Sequence, residues 1–370
     1  MQIKKNLHVI IIVSLSFLLL YTFLAVRPLS KELQLTPQWT ISILQTPTER
    51  RESTESLLPF RLGQNMGYFT QDGQIALLES FPFQSTISGT YRTAYAPDSS
   101  RIPVHSIDSQ KDEPDFYLEG AGFPYFSEDR MYILSPGGYG LSQHSREAGQ
   151  LWQFEHSSPI TTLSSSPAGT AVGYADGIVF IFSDTGELLQ TFEPGGSSHS
   201  IILGTALSGS GSQLACVSGI DQQRFVLTQQ RNGVNKVVFH TYLEGNQREP
   251  VLVQFSDDES TVFYAFKNGV GIVDCNTFSS TTIPLDGRLL AIQECPANKV
   301  VCLLTKDGGR YNIYLIEGTG TLIGSFGFEA SSSFITIKDG NLYIGRDTSI
   351  SKIDLTQKIT RSILQNRSLP

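Results

Sequence analysis

The residue types that do most enzyme chemistry are present in this chain but scattered. The densest acidic cluster is Ser256-Asp-Asp-Glu-Ser260. Calcium needs several converging oxygens, whereas this run sits where a turn opens a repeat and polar residues are expected anyway. Ser349-Ile-Ser-Lys352 matches a serine–lysine nucleophile pattern. That pair works on one helical face, and in an alternating strand the third residue on points to the opposite side. Gly318-Thr-Gly-Thr-Leu-Ile-Gly324 approximates a dinucleotide loop with one residue too many. It leads into a strand, not into the helix N-terminus that holds a pyrophosphate.

His8, His105, His144, His156, His199 and His240 fall in no HExxH or HxH arrangement and read as isolated strand or loop residues. Cys216, Cys275, Cys295 and Cys302 form neither a CxxC nor a zinc spacing. They read as buried thiols. A turn over Pro296 to Lys299 leaves Cys295 and Cys302 not directly opposed, which disfavours a bridge. No Walker loop, GxSxG elbow or EF-hand loop occurs. Catalytic, cofactor-binding and metal-binding residues are accordingly read as none, and partner-binding residues stay unassigned.

The elements that would position any site are strands. The 370 residues are 40% hydrophobic and 17% charged, enough apolar material for a sizeable core and too little charge for disorder. Frequent Phe and Tyr with 33 Gly and 17 Pro suit short strands and tight turns. A net charge of -8 offers no electrostatic hold on a phosphate backbone, so nucleic-acid binding is excluded. No small-molecule substrate is predicted.

Lys4 and Lys5 precede an uncharged run from Val9 to Val26, ended by Arg27-Pro28. The run is long enough to cross a bilayer as a helix. A bulky Phe23 two residues before Ala25 argues against signal cleavage. The expected layout is a short cytoplasmic head (1–8), a single-pass signal-anchor (9–26) in the inner membrane and a linker (27–60). The propeller (61–364) and a tail (365–370) follow, the propeller lying on the periplasmic side. The charge bias across the span is small. The linker carries Pro28, Pro37, Pro47 and Pro59. Within it, Trp39-Thr-Ile-Ser-Ile-Leu44 alternates and could close the ring as an added strand.

From about 120 to 362 one pattern recurs every 39 to 48 residues. In the clearest copy, Ile160 to Leu163 is a strand, Ser166 to Gly169 a turn and Thr170 to Ala175 a second strand. Asp176-Gly177 turns the chain into Ile178 to Phe182, and Ser183 to Gly186 turns it into Glu187 to Phe192. Asp-Gly and Asn-Gly supply the positive φ of tight hairpins. Equivalent turns fall at Gly137-Gly138, near Ile220-Asp221, at Asn268-Gly269, Asp307-Gly308 and near Asp347. Four strands per unit at this period indicate a propeller blade. Six blades are readable, and the less regular stretch 64 to 118 supplies a seventh. The expected fold is all-β, a propeller of about seven four-stranded blades, with eight as the alternative if that stretch holds two.

Tyr174 to Phe182 with Gly186 to Phe192, and Glu147-Ala-Gly-Gln-Leu-Trp-Gln-Phe154, resemble the repeats of quinoprotein-like (PQQ-like) propellers, and WD40-like blades are similar. The Gly-His and Trp-Asp signatures of WD40 repeats are absent, and the quinoprotein Trp appears only at Trp152. The resemblance implies a membrane-anchored bacterial propeller serving envelope assembly as a docking platform. The expected function is a non-catalytic interaction scaffold, not an enzyme, with envelope or membrane proteins as partners and the membrane reached through residues 9–26. The alternative is a hydrolase, lyase or quinone-dependent dehydrogenase with a site in the central channel. The irregular first blade and the longer fourth one (about 199–246) are where a partner surface is expected.

Overall fold

The computed structural model describes residues 15–17, 35–45, 56–109, 111–127, 130–245, 247–318 and 320–355. The head, most of the anchor and linker, and the tail lie outside the described residues. Residues 15–17 are helical. Among the described residues no helix is long and apolar enough to cross a membrane. Residues 1–34 and 35–370 form separate units, and the sheets belong to the second.

Among the described residues strands of three to nine residues form eight antiparallel sheets, all pairing with sequence neighbours except the closing strand Trp39–Ser42. The inner strands of blades 1 to 8 are Leu58–Leu62, Gln84–Ile87, Phe123–Ser127, Ile160–Ser166, Ile202–Leu207, Val253–Phe255, Arg288–Cys295 and Ser333–Lys338. Blade 4 shows the local logic. Gly169–Tyr174 pairs with Ile160–Ser166 on one side and Val179–Phe182 on the other, and Leu188–Phe192 lies outside. Both central strands are buried throughout and the outer one is half exposed.

The expectation of seven blades is corrected to eight. The stretch 64 to 118 holds the last two strands of blade 1 and all of blade 2, which comprises Gln84–Ile87, Tyr91–Tyr95, Arg101–Ser106 and Phe116–Glu119. Its period is hidden for two reasons. Among the described residues blade 1 has three strands, and the turns of blade 2, Ser88 to Thr90 and Ala96 to Ser100, lack the Asp-Gly or Asn-Gly signal. The long blade around 199–246 is therefore the fifth.

We call the face carrying the connections between blades the upper face and the opposite one the lower. Blade 1 runs the other way. The Gly63 amide, at its first hairpin, donates to Ser332 Oγ on the upper face (2.9 Å), while Gln71, at its second, donates to Asp339 on the lower face (2.8 Å). Three strands starting from below end above, where the next blade begins, so an odd strand count keeps the remaining blades in phase.

Each interface buries one sheet face on the next. Phe225 of blade 5 stacks on Tyr264 of blade 6 at 4.0 Å, and Trp152 of blade 3 on Phe182 of blade 4 at 5.4 Å. Fully buried Tyr68, Tyr132, Tyr174, Tyr264 and Tyr343 all stand on second strands. Polar side chains also engage backbone of the neighbouring inner strand. Ser164 Oγ accepts from the Leu207 amide (3.2 Å), Gln293 Oε1 from the Ile337 amide (3.3 Å), and Arg61 donates to the Ser85 carbonyl (3.2 Å).

Ring closure joins the two ends of the sheet-forming unit. Trp39–Ser42 pairs antiparallel with Ser349–Asp354 as the outer strand of blade 8, Ile41 opposite Ile350. Ile43, fully buried just beyond it, packs with Leu62, Phe69, Tyr343 and Ile350. Truncating a buried Ile to Ala costs about 2–5 kcal/mol. Ile43→Ala is expected to lower the thermal midpoint by several degrees, whereas Thr40→Ala on the exposed face is expected to leave it nearly unchanged. Differential scanning calorimetry of both variants checks this.

Candidate functional site

Blade 5 is the longest, and its extra length lies in the loops of the upper face. Its outer strands, Arg224–Arg231 and Val234–Tyr242, are eight and nine residues long. The turn at 219–223 and the connections at 193–201 and 243–252 are long as well. All these loops stand on the upper face, and side chains fasten them.

Gln223 is 2% exposed. Its Nε2 donates to the carbonyls of Gly219 (3.1 Å) and Gln247 (3.0 Å), and its Oε1 accepts from the Gln247 amide (3.3 Å). A buried amide that meets both its donor and its acceptor needs is costly to disturb. Leu243 and Val251 add amide bonds to the carbonyls of Gln223 and Leu203, 2.9 and 2.7 Å long. The connection from blade 5 to blade 6 is thus a fastened ridge.

Asp221 organises the preceding connection. Its carboxylate accepts from the hydroxyls of Ser197 and Ser198 and from the amides of Ser198 and His199. The Ser197 and Ser198 donors hold the Asp221 carboxyl well below the usual carboxylate range. Arg224 donates to the Pro194 carbonyl in the same loop. A cleft of about 460 Å3 opens on one side of the ridge, lined by Asp221, Gln222, Gln223, Tyr242 and Leu243. Another of about 300 Å3 opens on the other side, toward blades 6 and 7.

Exposed aromatic side chains are concentrated on the same face. Phe83 (65% exposed) precedes the inner strand of blade 2 and Phe123 (42%) begins that of blade 3. Tyr139 (48%) lies in the second hairpin of blade 3, and Tyr242 (59%) ends the outer strand of blade 5. The lower turns of blades 6 and 7 carry Asp257, Asp258, Asp274, Glu294 and Glu317.

The residues singled out by sequence find structural places. Asp258 accepts from Ser256 Oγ (2.7 Å) and from the amide (3.0 Å) and hydroxyl (2.7 Å) of Ser260, closing its own turn. Glu259 accepts from the amide (2.6 Å) and hydroxyl (2.5 Å) of Ser210, tying blade 6 to blade 5. Ser349 donates to the Arg346 carbonyl (3.0 Å), while Lys352 reaches the Gln71 carbonyl (3.2 Å) across the blade 8 to blade 1 interface. Gly318 has a left-handed φ of 60° in a turn before the outer strand Thr321–Glu329. His144 Nε2 bonds Ser142 Oγ at 2.8 Å, and burial lowers its pKa. His156 meets Asp176 at 2.6 Å. The four cysteines are free and buried, with Gln293, not Cys295, opposite Cys302. Among the described residues no group of three or more His, Cys, Asp or Glu could hold a metal ion.

Sequence reasoning missed Glu294, an acidic residue on the inner strand Arg288–Cys295, beside the apolar run Leu289 to Ile292. Burial, and then the charge of Asp257, push its carboxyl up to about 7.

A family model described as "beta-propeller protein" matches residues 1–358. An uncharacterized protein of Treponema pallidum (strain Nichols) is 29% identical over 364 residues, covering 96% of each chain. Among solved structures, BamB from Moraxella catarrhalis is similar with a TM-score of 0.59 at 12% identity, covering 88% of this chain and 98% of that one. The computationally designed Ika8 protein gives 0.58 at 17% identity, covering 85% and 99%. At these identities the two solved structures show the fold alone.

Two outcomes follow from the site. Gln223→Leu is expected to speed amide hydrogen exchange across 243–251 at least tenfold while leaving the central strands of blades 1 to 3 protected; mass spectrometry after deuterium labelling reads both. Glu294 titrates at about 7 in the fold against 4.5 ordinarily, so the folded state holds the proton more tightly. The stabilisation this provides is complete below pH 4.5 and is lost as pH rises through about 7. Glu294→Gln is expected to remove that decline, making the variant more heat-stable than the parent at pH 8; thermal midpoints from pH 4 to 8 test it.

Proposed function

The chain belongs to the β-propeller protein family that its near full-length match describes, and on that premise we propose that it is a non-catalytic scaffold for protein interaction. In this reading residues 9–26 anchor it in the inner membrane, the propeller stands on the extracytoplasmic side, and the partners are envelope proteins under assembly. The observation that carries the scaffold role is the one-sidedness of the ring. Phe83, Phe123, Tyr139 and Tyr242 share the upper face with the fastened ridge and its two clefts. Rigid aromatic groups are enriched where proteins bind and carry a large share of binding energy. Loops held on a stiff frame are the usual carriers of such contacts. The envelope role rests on the resemblance of blades 3 and 4 to quinoprotein-like propellers, and the anchor on the uncharged run from Val9 to Val26.

The test is site-specific photo-crosslinking in intact cells of the native host. Benzophenone side chains at positions 139 and 242 are expected to capture a discrete envelope protein, and one at position 274 on the lower face to capture none. Absence of adducts on the upper face, or equal yields on both, would overturn the reading. A phosphatase fused to the C-terminus is expected to be active; an inactive, stably made fusion would place the propeller in the cytoplasm.

A further inference from the structure

We propose that Asn232 is a site of spontaneous deamidation, selected by the fold over the chain's other Asn-Gly pair. This goes beyond the scaffold reading and does not depend on it. The pairs Asn232-Gly233 and Asn268-Gly269 each turn a tight hairpin, in blades 5 and 6. Both asparagines have a left-handed backbone, with φ of 55° and 61°. Residue type and turn geometry therefore do not separate them; their surroundings do.

The reaction needs a free amide and room to move. The Gly233 nitrogen bonds to Asn232 Cγ, the Cγ–Nδ2 bond breaks, and ammonia leaves with the glycine amide proton. Water then opens the cyclic imide, at Cγ to give aspartate or at the main-chain carbonyl to give isoaspartate. Arg231, Asn232, Gly233 and Val234 are all exposed, and a Cβ at Gly233 would meet nothing within 4 Å. Among the described residues neither the Gly233 amide nor the Asn232 side chain has a hydrogen-bond partner. The Gln230 amide donates to the Ser212 carbonyl at 2.7 Å, just before the strand Gln213–Ser218. Residues 231–234 therefore project past the strand that supports them. The hairpin 224–242 carries Arg224, Arg231 and Lys236 and no carboxylate. Nearby positive charge favours the deprotonated amide that attacks.

Asn268 meets the opposite conditions. Gly269 is buried and opens its strand opposite Phe266, so its amide closes the hairpin. A Cβ there would lie 2.4 Å from the Phe266 ring, which leaves that amide little room. The Asn268 carbonyl accepts from the Leu285 amide at 3.0 Å. Cyclisation at Asn268 must first break both bonds, whereas the exposed tip at Asn232 opens without such a cost. The consequence at Asn232 is local. Deamidation adds a negative charge, and isoaspartate also adds a carbon to the main chain, which a two-residue turn does not accommodate. Residues 229–236 are expected to lose register, while fully buried Phe225, Val226 and Leu227 keep the upper half of the hairpin in place.

Heavy-oxygen water reports the reaction. The purified full-length chain is incubated in it at mildly alkaline pH, quenched in acid and digested in ordinary water, so label marks only products formed before digestion. Mass spectrometry with electron-transfer fragmentation then separates isoaspartate from aspartate at each site. Labelled product at 232, mostly isoaspartate, is expected at least about tenfold faster than at 268, the scale set by two hydrogen bonds that must open first. In concentrated urea the two sites are expected to convert at similar rates. Asn232→Gln, whose amide must close a larger and slower ring, is expected to remove the label from its peptide. Equal rates at the two sites in the folded chain, or no labelled product at 232, overturn the proposal. A rate gap that persists undiminished in urea overturns selection by the fold, and label that persists in the Gln variant's peptide overturns the assignment to Asn232.

Discussion

The antiparallel pairing of Trp39–Ser42 with Ser349–Asp354 is the constraint on which the ring depends. A sheet exposes an unpaired edge and an apolar face, and a circle of blades covers all its faces only when the last sheet meets the first. Here that meeting packs Phe60 and Phe69 of blade 1 against Phe334 and Tyr343 of blade 8. The hydroxyls of Thr40 and Ser351, 311 residues apart, lie 2.9 Å from each other across the closing pair. Loop-closure entropy grows only with the logarithm of chain length, about 0.6 kcal/mol per doubling. One buried isoleucine outweighs several doublings, so a distant closing strand is thermodynamically reasonable.

Closure also dictates how function is distributed. Central strands that are buried on both faces leave only turns and connections for recognition, and the two ends of the ring have diverged. Below, carboxylates staple turns to one another, as Glu259 does to Ser210. Above, Gln223 and Asp221 spend hydrogen bonds on holding loops still, which lowers the entropy lost when a partner orders against them. Aromatic groups and two clefts flank those fixed loops. The closing strand ends above and blade 1 begins below, and its three strands return the chain to the upper face where blade 2 starts.

Local chemistry made much of the fold legible. Asp176-Gly177 and Asn268-Gly269 mark hairpins because few residues tolerate positive φ, and short alternating runs between them mark strands. These signals depend on residues a few positions apart, so they survive reading in one dimension. Where blade 2 turned instead through Ala96-Pro97-Asp98, and where blade 1 dropped a strand, the period blurred and eight blades read as about seven.

By itself the sequence determined an all-β ring of repeated sheets, an acidic chain without a catalytic or metal motif, and the unusual length of the blade around 199–246. Only the tertiary structure decided which face gathers Phe83, Phe123, Tyr139 and Tyr242, and that Gln223 fastens the ridge. The physical reason is that strand formation is settled between neighbours in the chain. Convergence of side chains from different blades is settled by the closure of the ring, which no local pattern encodes.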